Sequence, residues 1–448
     1  MLLTRELPLP ADPVALARRL EAAGRQHMAL LHSAGRASGS EPRVSYVAAD
    51  PDRCSHALDP AGDDDWPPAP PASVPGGTPR WIGVVPYESR RELERESWCA
   101  PERRGPPRCA RPEWWRYAAV VRIEHDTGRV SLVGTDRAAL SRLEEGLGAS
   151  PAQPGAVRLD VADDEAPDEH LRRVERALEL IARGDLYQVN LARRLRLHLV
   201  QGGPLDLYAR LATAAPSRFG AVLRLGAGVD VLSCSPELLL RALARGNEEG
   251  EGPARAAWPP FGRIHTEPIK GTRPRGRDAA EDARLRDELD ADPKERAELS
   301  MIVDVERNDL GRVAAVGSVR VASPPHVVTH PGVHHRQAHL VAHSRLDASR
   351  REVIEAMVPS GSVTGAPKVR AMEVIRELEA HRRGLYTGGL GYVAHDGSLV
   401  LAMAIRTLVL CDRQGEYWTG GGIVADSDPR RELEETRWKA AQLAAVVG

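Results

Sequence analysis

The chain of 448 residues carries 61 Lys plus Arg against 63 Asp plus Glu, a formal net charge of −2. So balanced a surface offers no general attraction to nucleic acid or anionic lipid. No run of eighteen uncharged apolar residues occurs, so no helical membrane span is expected. The opening MLLTRELPLPADP meets proline and acid before a secretory apolar core can form. Five scattered cysteines (Cys54, Cys99, Cys109, Cys234, Cys411) without a C-x-x-C pair fit a reducing cytoplasm and argue against a thiolate zinc site.

The length suits two or three domains, or one interwoven unit. In the first part, an amphipathic helix is expected over 13–23 and strands over 43–49, 81–87, 117–123 and 130–133. Residues 59–79, rich in Pro, Gly and Asp, read as an exposed loop. A Pro/Asp/Ala-rich stretch at 149–167 marks the boundary between units at 1–148 and 165–448. Beyond it, Leu171, Val174, Leu178 and Ile181 recur at helical spacing with Gly184 as a stop. Residues 193–199 alternate as a strand does, and further strands are expected at 220–225 and 229–233. Helices are expected over 293–307, 367–380 and 429–446. A hairpin over 389–410 would turn at Asp396-Gly397. Hairpins mixed with helices predict an α+β fold.

Several segments can carry chemistry. Glu295 and Glu298 share one helical face, as do Glu432 and Glu435, with Lys439 continuing that stripe. Converging carboxylates suit a hard divalent cation, although exposed glutamate is the commoner explanation for either spacing alone. Gly420-Gly421-Gly422 follows a strand, where backbone N–H groups can approach an anion. Ser362 to Lys368 precedes a helix, with Thr364 the expected N-cap and Pro367 in the first turn. Neither segment is a Walker A loop or a dinucleotide fingerprint. Lys270 stands between apolar and glycine positions in a chain whose bases are overwhelmingly arginine. Lysine, unlike arginine, can deprotonate and act as a nucleophile.

At these residues the sequence resembles the chorismate-utilising enzymes, among them anthranilate synthase component I, aminodeoxychorismate synthase component I and the isochorismate and salicylate synthases. The strings GDLYQVNLARRL, SPELLL, PIKGTRPRG, MIVDVERNDLGRV, GSVTGAPKVRAMEVI, AIRTL, GGGIVADSD and EETRWKA occur in the family's order. WIGVVPYES and RPEWWRYAAVV extend a looser likeness into the N-terminal part. The resemblance implies large antiparallel sheets packed as a sandwich with helices outside. It implies a Mg²⁺ site, with Glu298 and Glu435 as direct ligands and Glu295 and Glu432 supporting. It further implies that Gly420, Gly421, Gly422, Arg406, Lys439 and Tyr392 form the substrate carboxylate pocket, with Thr272 and Ser362 contributing.

Glu237 matches the family's general acid, which burial should keep protonated. Gln188 stands where the water-adding relatives carry a general-base lysine, so the resemblance implies an ammonia user. Lys270 stands where anthranilate synthases have alanine and aminodeoxychorismate synthases have lysine. That implies attack of the lysine on ring C2 and amination at C4, giving 4-amino-4-deoxychorismate, a precursor of 4-aminobenzoate. Arg273 and Arg275, with burial, are expected to favour the neutral amine that such attack requires. The rival product is anthranilate. A rival of another class is a silent chorismate-fold scaffold for a glutaminase.

Three features depart from the family pattern. The catalytic histidine maps to His335 by its spacing to GSVTGAPK but to His339 by the local His-Leu-Val string. His335, His339 and His343 could also share a helical face. Residues 246–262 read as an inserted surface loop. Leu30-Leu31-His32-Ser33 resembles a tryptophan-binding Leu-Leu-Glu-Ser motif with His32 in place of the acid, which argues against tryptophan control. No cysteine sits in a glutaminase G-x-C-x-G elbow, so ammonia is expected from a separate glutamine amidotransferase subunit.

Overall fold

The computed structural model describes residues 2–34, 43–60, 77–92, 102, 104–244, 261–330 and 332–444. The expected loop at 59–79 and the inserted loop at 246–262 lie largely outside the described residues, as does Cys99. The other four cysteines are free thiols.

Two antiparallel sheets form the molecule's centre, as the resemblance implied. In the larger, Leu3–Leu7, Arg129–Gly134, Ala119–Glu124, Val44–Ala48 and Ala29–His32 run edge to edge into Phe219–Arg224 and Val229–Ser235. Thr407–Cys411, Gln414–Ile423, Gln188–Gln201 and the two-residue Gly365–Ala366 follow. In the smaller, Ile269–Pro274, Val333–His343, Phe261–Glu267, Leu238–Ala244, Leu399–Met403 and Gly389–Ala394 continue into Pro79–Val85, Glu113–Arg116 and Arg53–Ser55. In both sheets, strands from residues 1–148 pair directly with strands from 165–448.

Side-chain alternation explains the layering. On Ala119–Glu124, Val120 enters the core between the sheets while Val121 and Ile123 face helices on the outside. Tyr46, Val231 and Val409 from one sheet meet Ile82, Val84 and Leu390 from the other. Each such fully buried Val or Leu contributes about 1.5–3 kcal/mol of transfer free energy. Helices Pro13–Ala22, Arg137–Leu147 and Pro204–Ala214 cover the larger sheet, and Pro293–Gly311 and Arg350–Met357 cover the smaller. Among the described residues no helix is long and apolar enough to cross a membrane.

Two expectations change here. Thr364 is not the N-cap: helix Lys368–Leu378 begins after Pro367, and the Thr364 hydroxyl instead donates to Ser360 O at 2.8 Å. The histidine segment is a strand, Val333–His343, not a helix. It pairs with three strands, Phe261–Glu267, Ile269–Pro274 and Arg320–Thr329, and pairing of its backbone overrides any helical spacing of its side chains.

One buried ion pair ties the strand Gln188–Gln201 to the turn at Gly361–Val363. Arg383 donates to Glu379 at 2.7 and 3.0 Å, to Val363 O at 2.9 Å and to Asn190 O at 2.8 Å. Glu379 in turn accepts from Ala192 N at 2.9 Å. Replacing Arg383 with Met leaves Glu379 charged and unpaired in the interior, so R383M is expected to cost about 3–5 kcal/mol in equilibrium denaturation. A loss below about 1 kcal/mol, the range of exposed pairs, would contradict that reading.

Candidate active site

Two helices that point into the same region start with the same local device. Asp292 caps Pro293–Gly311, accepting from Lys294 N at 3.0 Å and Glu295 N at 3.2 Å, and Asp428 caps Pro429–Lys439, accepting from Arg431 N at 3.0 Å. Proline follows each cap, which suits the first helical turn. The glutamate pairs therefore lie in the opening turns, where the helix dipole favours negative charge. Asp292 also accepts from Arg273 at 3.0 Å, tying this helix to the strand that carries Lys270.

That strand is bulged. Lys270 pairs with Arg336 and Thr272 with His335, so the residue between them is extra, and Gly271 adopts φ +79°. A Cβ at Gly271 would lie 2.9 Å from Glu295 Oε2. The bulge lets Lys270 and Thr272 both reach a cavity of about 420 Å³ whose wall includes Asn190, Glu237, Glu295, Glu298, His335, Ser362, Arg406, Gly420, Gly422, Glu435 and Lys439.

Unpaired polar atoms mark this cavity. Among the described residues, Asn190 Oδ1 and His335 Nε2 in the wall have no partner, and neither has either amide atom of Gln188, which does not line the cavity but is buried just behind Gly422. Buried polar groups are almost always satisfied, so these atoms fit a wall able to bond a polar ligand. Arg406 and Lys270 form no ion pair with any described residue. A Cβ at Gly422 would lie 2.6 Å from Gln188 Nε2 and 3.4 Å from Lys270 Nζ, so both groups lie close to this glycine. Arg406 holds a left-handed backbone, φ 50°, a conformation costing roughly 1–2 kcal/mol for a side-chain-bearing residue.

The titratable groups differ in character. Burial pushes Glu237 up to about 7, against the pull of Ser362 (Oγ donating at 3.0 Å), Lys270, the Ile269 backbone and Arg406. Burial, then Arg406 and His330, hold His335 well below the usual imidazole range, and its Nδ1 bonds Thr272 Oγ1 at 2.9 Å. Burial raises Glu295, Glu298 and Glu432, and each is raised further by neighbouring carboxylates. Burial also acts on Glu435, but Lys439, Lys270 and Lys294 outweigh it and leave that carboxyl lowered.

The chain contains four lysines, Lys270, Lys294, Lys368 and Lys439. Three of them line this cavity. Lys294 Nζ lies 3.7 Å from Glu298 and 3.8 Å from Glu432, and Lys439 Nζ 2.6 Å from Glu435 and 3.0 Å from Gly420 O. No three metal-ligating side chains converge among the described residues. The donors still fit a hard divalent cation. All four are carboxylates, Glu432 Oε2 is buried without a partner, and all four raise the pKa of Lys294, which serves as their resident cation.

Not every expected residue arrives. Tyr392 packs 6.0 Å from the Tyr46 ring in the intersheet core, away from the cavity, while Tyr386 and Tyr417 line it. The parity of its strand turns Tyr392 inward. Gly421 and Glu432 sit just behind the wall, facing each other: a Cβ on Gly421 would lie 2.9 Å from Glu432 Oε2. His339 is also elsewhere, its Nε2 3.0 Å from His265 Nδ1, so His335 is the histidine at the cavity. Arg273 and Arg275 do not crowd Lys270 with charge; carboxylates occupy them, Asp292 at 3.0 Å and Asp282 at 2.7 Å. Asn190 was missed, although it shares its strand face with Gln188 by simple alternation.

Comparisons with known proteins identify the family. Residues 21–445 match the family described as chorismate binding enzyme. Anthranilate synthase component 1 of Thermus thermophilus is 41% identical over 306 residues, 68% of this chain and 62% of that protein. The chain thus spans less than two thirds of that relative. The Streptomyces coelicolor protein of the same name is 40% identical over 408 residues, 84% of this chain and 75% of its own. The crystal structure of anthranilate synthase component I from Streptococcus pneumoniae shows 27% identity and a TM-score of 0.72, covering 92% of this chain and 94% of that one.

His335 is expected to stay neutral at about pH 6.5, where exposed imidazoles are half-charged. Its ring ¹⁵N shifts should not titrate there. The unfolded chain then binds a proton that the folded state declines, so this residue makes stability fall as pH drops below about 6.5. A titration of His335 at the ordinary imidazole pH would overturn its assignment as a buried neutral group.

Proposed function

The chain belongs to the chorismate binding enzyme family, and from that premise we propose that it aminates chorismate at C4, as an aminodeoxychorismate synthase component I. One observation supports the choice of position: Lys270, without an ion-pair partner among the described residues, lines the cavity next to Gly422. On this reading Lys270 attacks ring C2 while the C4 hydroxyl leaves as water with a proton from Glu237. Ammonia then attacks C4, the C2–N bond breaks, and the ammonium formed at C4 gives up a proton. Arg406 supplies positive charge for a substrate carboxylate. Gln188 cannot serve as the base that water would need.

Mg²⁺ would be held by Glu298 and Glu435, with Glu295 and Glu432 supporting, and when bound would supply positive charge for the ring carboxylate. The protein's part is to aim Lys270 and hold Glu237 protonated. Ammonia is taken to come from a separate glutaminase subunit.

A second reading, amination at C2 by an anthranilate synthase, is the one that the names of the curated relatives favour, those from Thermus thermophilus and Streptomyces coelicolor among them. Product identification from chorismate, ammonium and Mg²⁺ separates the two. We expect 4-amino-4-deoxychorismate, with Lys270→Ala lowering its formation by about 10³ or more and removing any adduct on this peptide in mass spectrometry. Anthranilate as the main product would sink the C4 assignment, and no turnover at all would mark the chain as a scaffold.

The metal assignment has its own test. Chelation by EDTA should abolish turnover and added Mg²⁺ should restore it. Glu298→Gln should raise the Mg²⁺ concentration for half-maximal rate by about tenfold or more. An unchanged Mg²⁺ response in Glu298→Gln and Glu435→Gln alike would place the ion elsewhere.

A further inference from the structure

Behind Glu237 lies a second buried carboxylate that the proposed chemistry does not use. Glu306, on helix Pro293–Gly311, is fully buried, and its Oε2 has no partner among the described residues. A continuous file of oxygens joins the two. Ser362 Oγ lies 3.0 Å from Glu237 Oε1, Ser360 Oγ lies 2.9 Å from Ser362 Oγ, and Ser360 Oγ also contacts Glu306 Oε1 in a short hydrogen bond. Both serines are buried. The Ser362 backbone N–H donates to Ser360 Oγ at 3.0 Å, holding the file in register.

Counting hydrogens decides what this file requires. It has three oxygen–oxygen contacts, and each needs one hydrogen. Each serine hydroxyl supplies one. The third must sit on a carboxyl group. If Glu237 carries it, the order of donation runs Glu237 to Ser362 to Ser360 to Glu306. If Glu306 carries it, every donor reverses. The two arrangements interconvert by a concerted shift along both hydroxyls, with no atom moving far.

We propose that Glu237 and Glu306 share one proton through Ser362 and Ser360, so that Glu306 is a positioning residue that keeps the acid at Glu237 loaded. This rests on the reading of Glu237 as the general acid. When Glu237 gives its proton to the departing C4 hydroxyl, the pair loses its shared hydrogen. The proton released by the new ammonium at C4 restores it, so the cycle closes without an outside acid or base. Burial first, then Asp309, raises Glu306 to about 7, matching the value for Glu237, with Ser360 and Lys368 pulling the other way. The charged groups facing Glu306 are Asp309 on its own helix, Lys368 on the neighbouring helix and Glu237. Lys368 is itself engaged by Asp309 at 2.8 Å.

The test is infrared spectroscopy of the resting protein, read at the band of a protonated buried carboxyl, combined with pH profiles of kcat. A glutamine at either end donates its own amide hydrogen into the file and leaves the remaining glutamate ionised. Glu306→Gln and Glu237→Gln are therefore each expected to abolish the band at neutral pH. Ser360→Ala cuts the file, and in that background Glu306→Gln should no longer affect Glu237. In the pH profile, Glu306→Gln should move the alkaline limb of kcat down by about one unit, a tenfold lower rate at about pH 8, while Glu306→Asp should largely retain the wild-type limb. A merely structural Glu306 would lower kcat evenly and leave the limb in place. Persistence of the Glu237 band at wild-type pH in Glu306→Gln, or an unmoved limb, overturns the proposal. Full turnover by Glu237→Gln would instead overturn the general-acid reading, and reciprocal loss of the band would still establish the shared proton.

Discussion

The site depends on a salt bridge that never touches the cavity. Arg383 and Glu379 are both buried, and between them they bond the backbone at Asn190, Ala192 and Val363. Those three positions belong to the strand bearing Gln188 and Asn190 and to the turn bearing Ser360 and Ser362. The rings of Tyr87 and Tyr386 lie 5.2 and 5.4 Å from the Arg383 guanidinium, which surrounds the charge with aromatic faces. Burying such a pair gains little net stability. Its role here is to prevent two elements from sliding while their side chains are aimed at a common point.

Electrostatic economy follows from that rigidity. Four carboxylates face two lysines in close contact, an excess of negative charge at one end of the cavity. At the other end, Arg406 forms no ion pair among the described residues and burial raises the pKa of Glu237. An anionic ligand bridging these ends would satisfy Arg406 and the orphaned amides at once, while a cation would relieve the glutamates. The polarity of the site is thus built from two opposite deficits. A chain that otherwise uses arginine keeps three of its four lysines here. The compact ammonium can pack among carboxylates where a planar guanidinium would seek a bidentate face.

Much of the fold was readable where one periodicity dominated. The alternation of residues 193–199 lies within the strand Gln188–Gln201, and the Asp396-Gly397 turn joins Gly389–Ala394 to Leu399–Met403. Reading failed where polar residues were turned inward. In Val333–His343, the run His334, His335, Arg336 and Gln337 is buried, so its pattern resembles neither a surface strand nor a core one. Helix Ala279–Ala291 was missed for the opposite reason: it buries only Leu289 and offers no apolar stripe.

Spacing and residue type alone determined much of the chemical inventory: two glutamate pairs on helix faces, a lysine able to act as a nucleophile and a glycine run, while Glu237 entered only through the resemblance. Those properties are local, because helix geometry, proline and side-chain chemistry do not depend on distant contacts. Only the tertiary structure decided which members of that inventory meet. It chose His335 over His339, turned Tyr392 into the core, and engaged Arg273 and Arg275 with carboxylates rather than with Lys270. It also joined Glu237 to Glu306 across residues 237–306 through two serines. The physical reason is that a hydrogen bond reaches about 3 Å, and strand parity, the bulge at Gly271 and sheet packing decide which residues come within it.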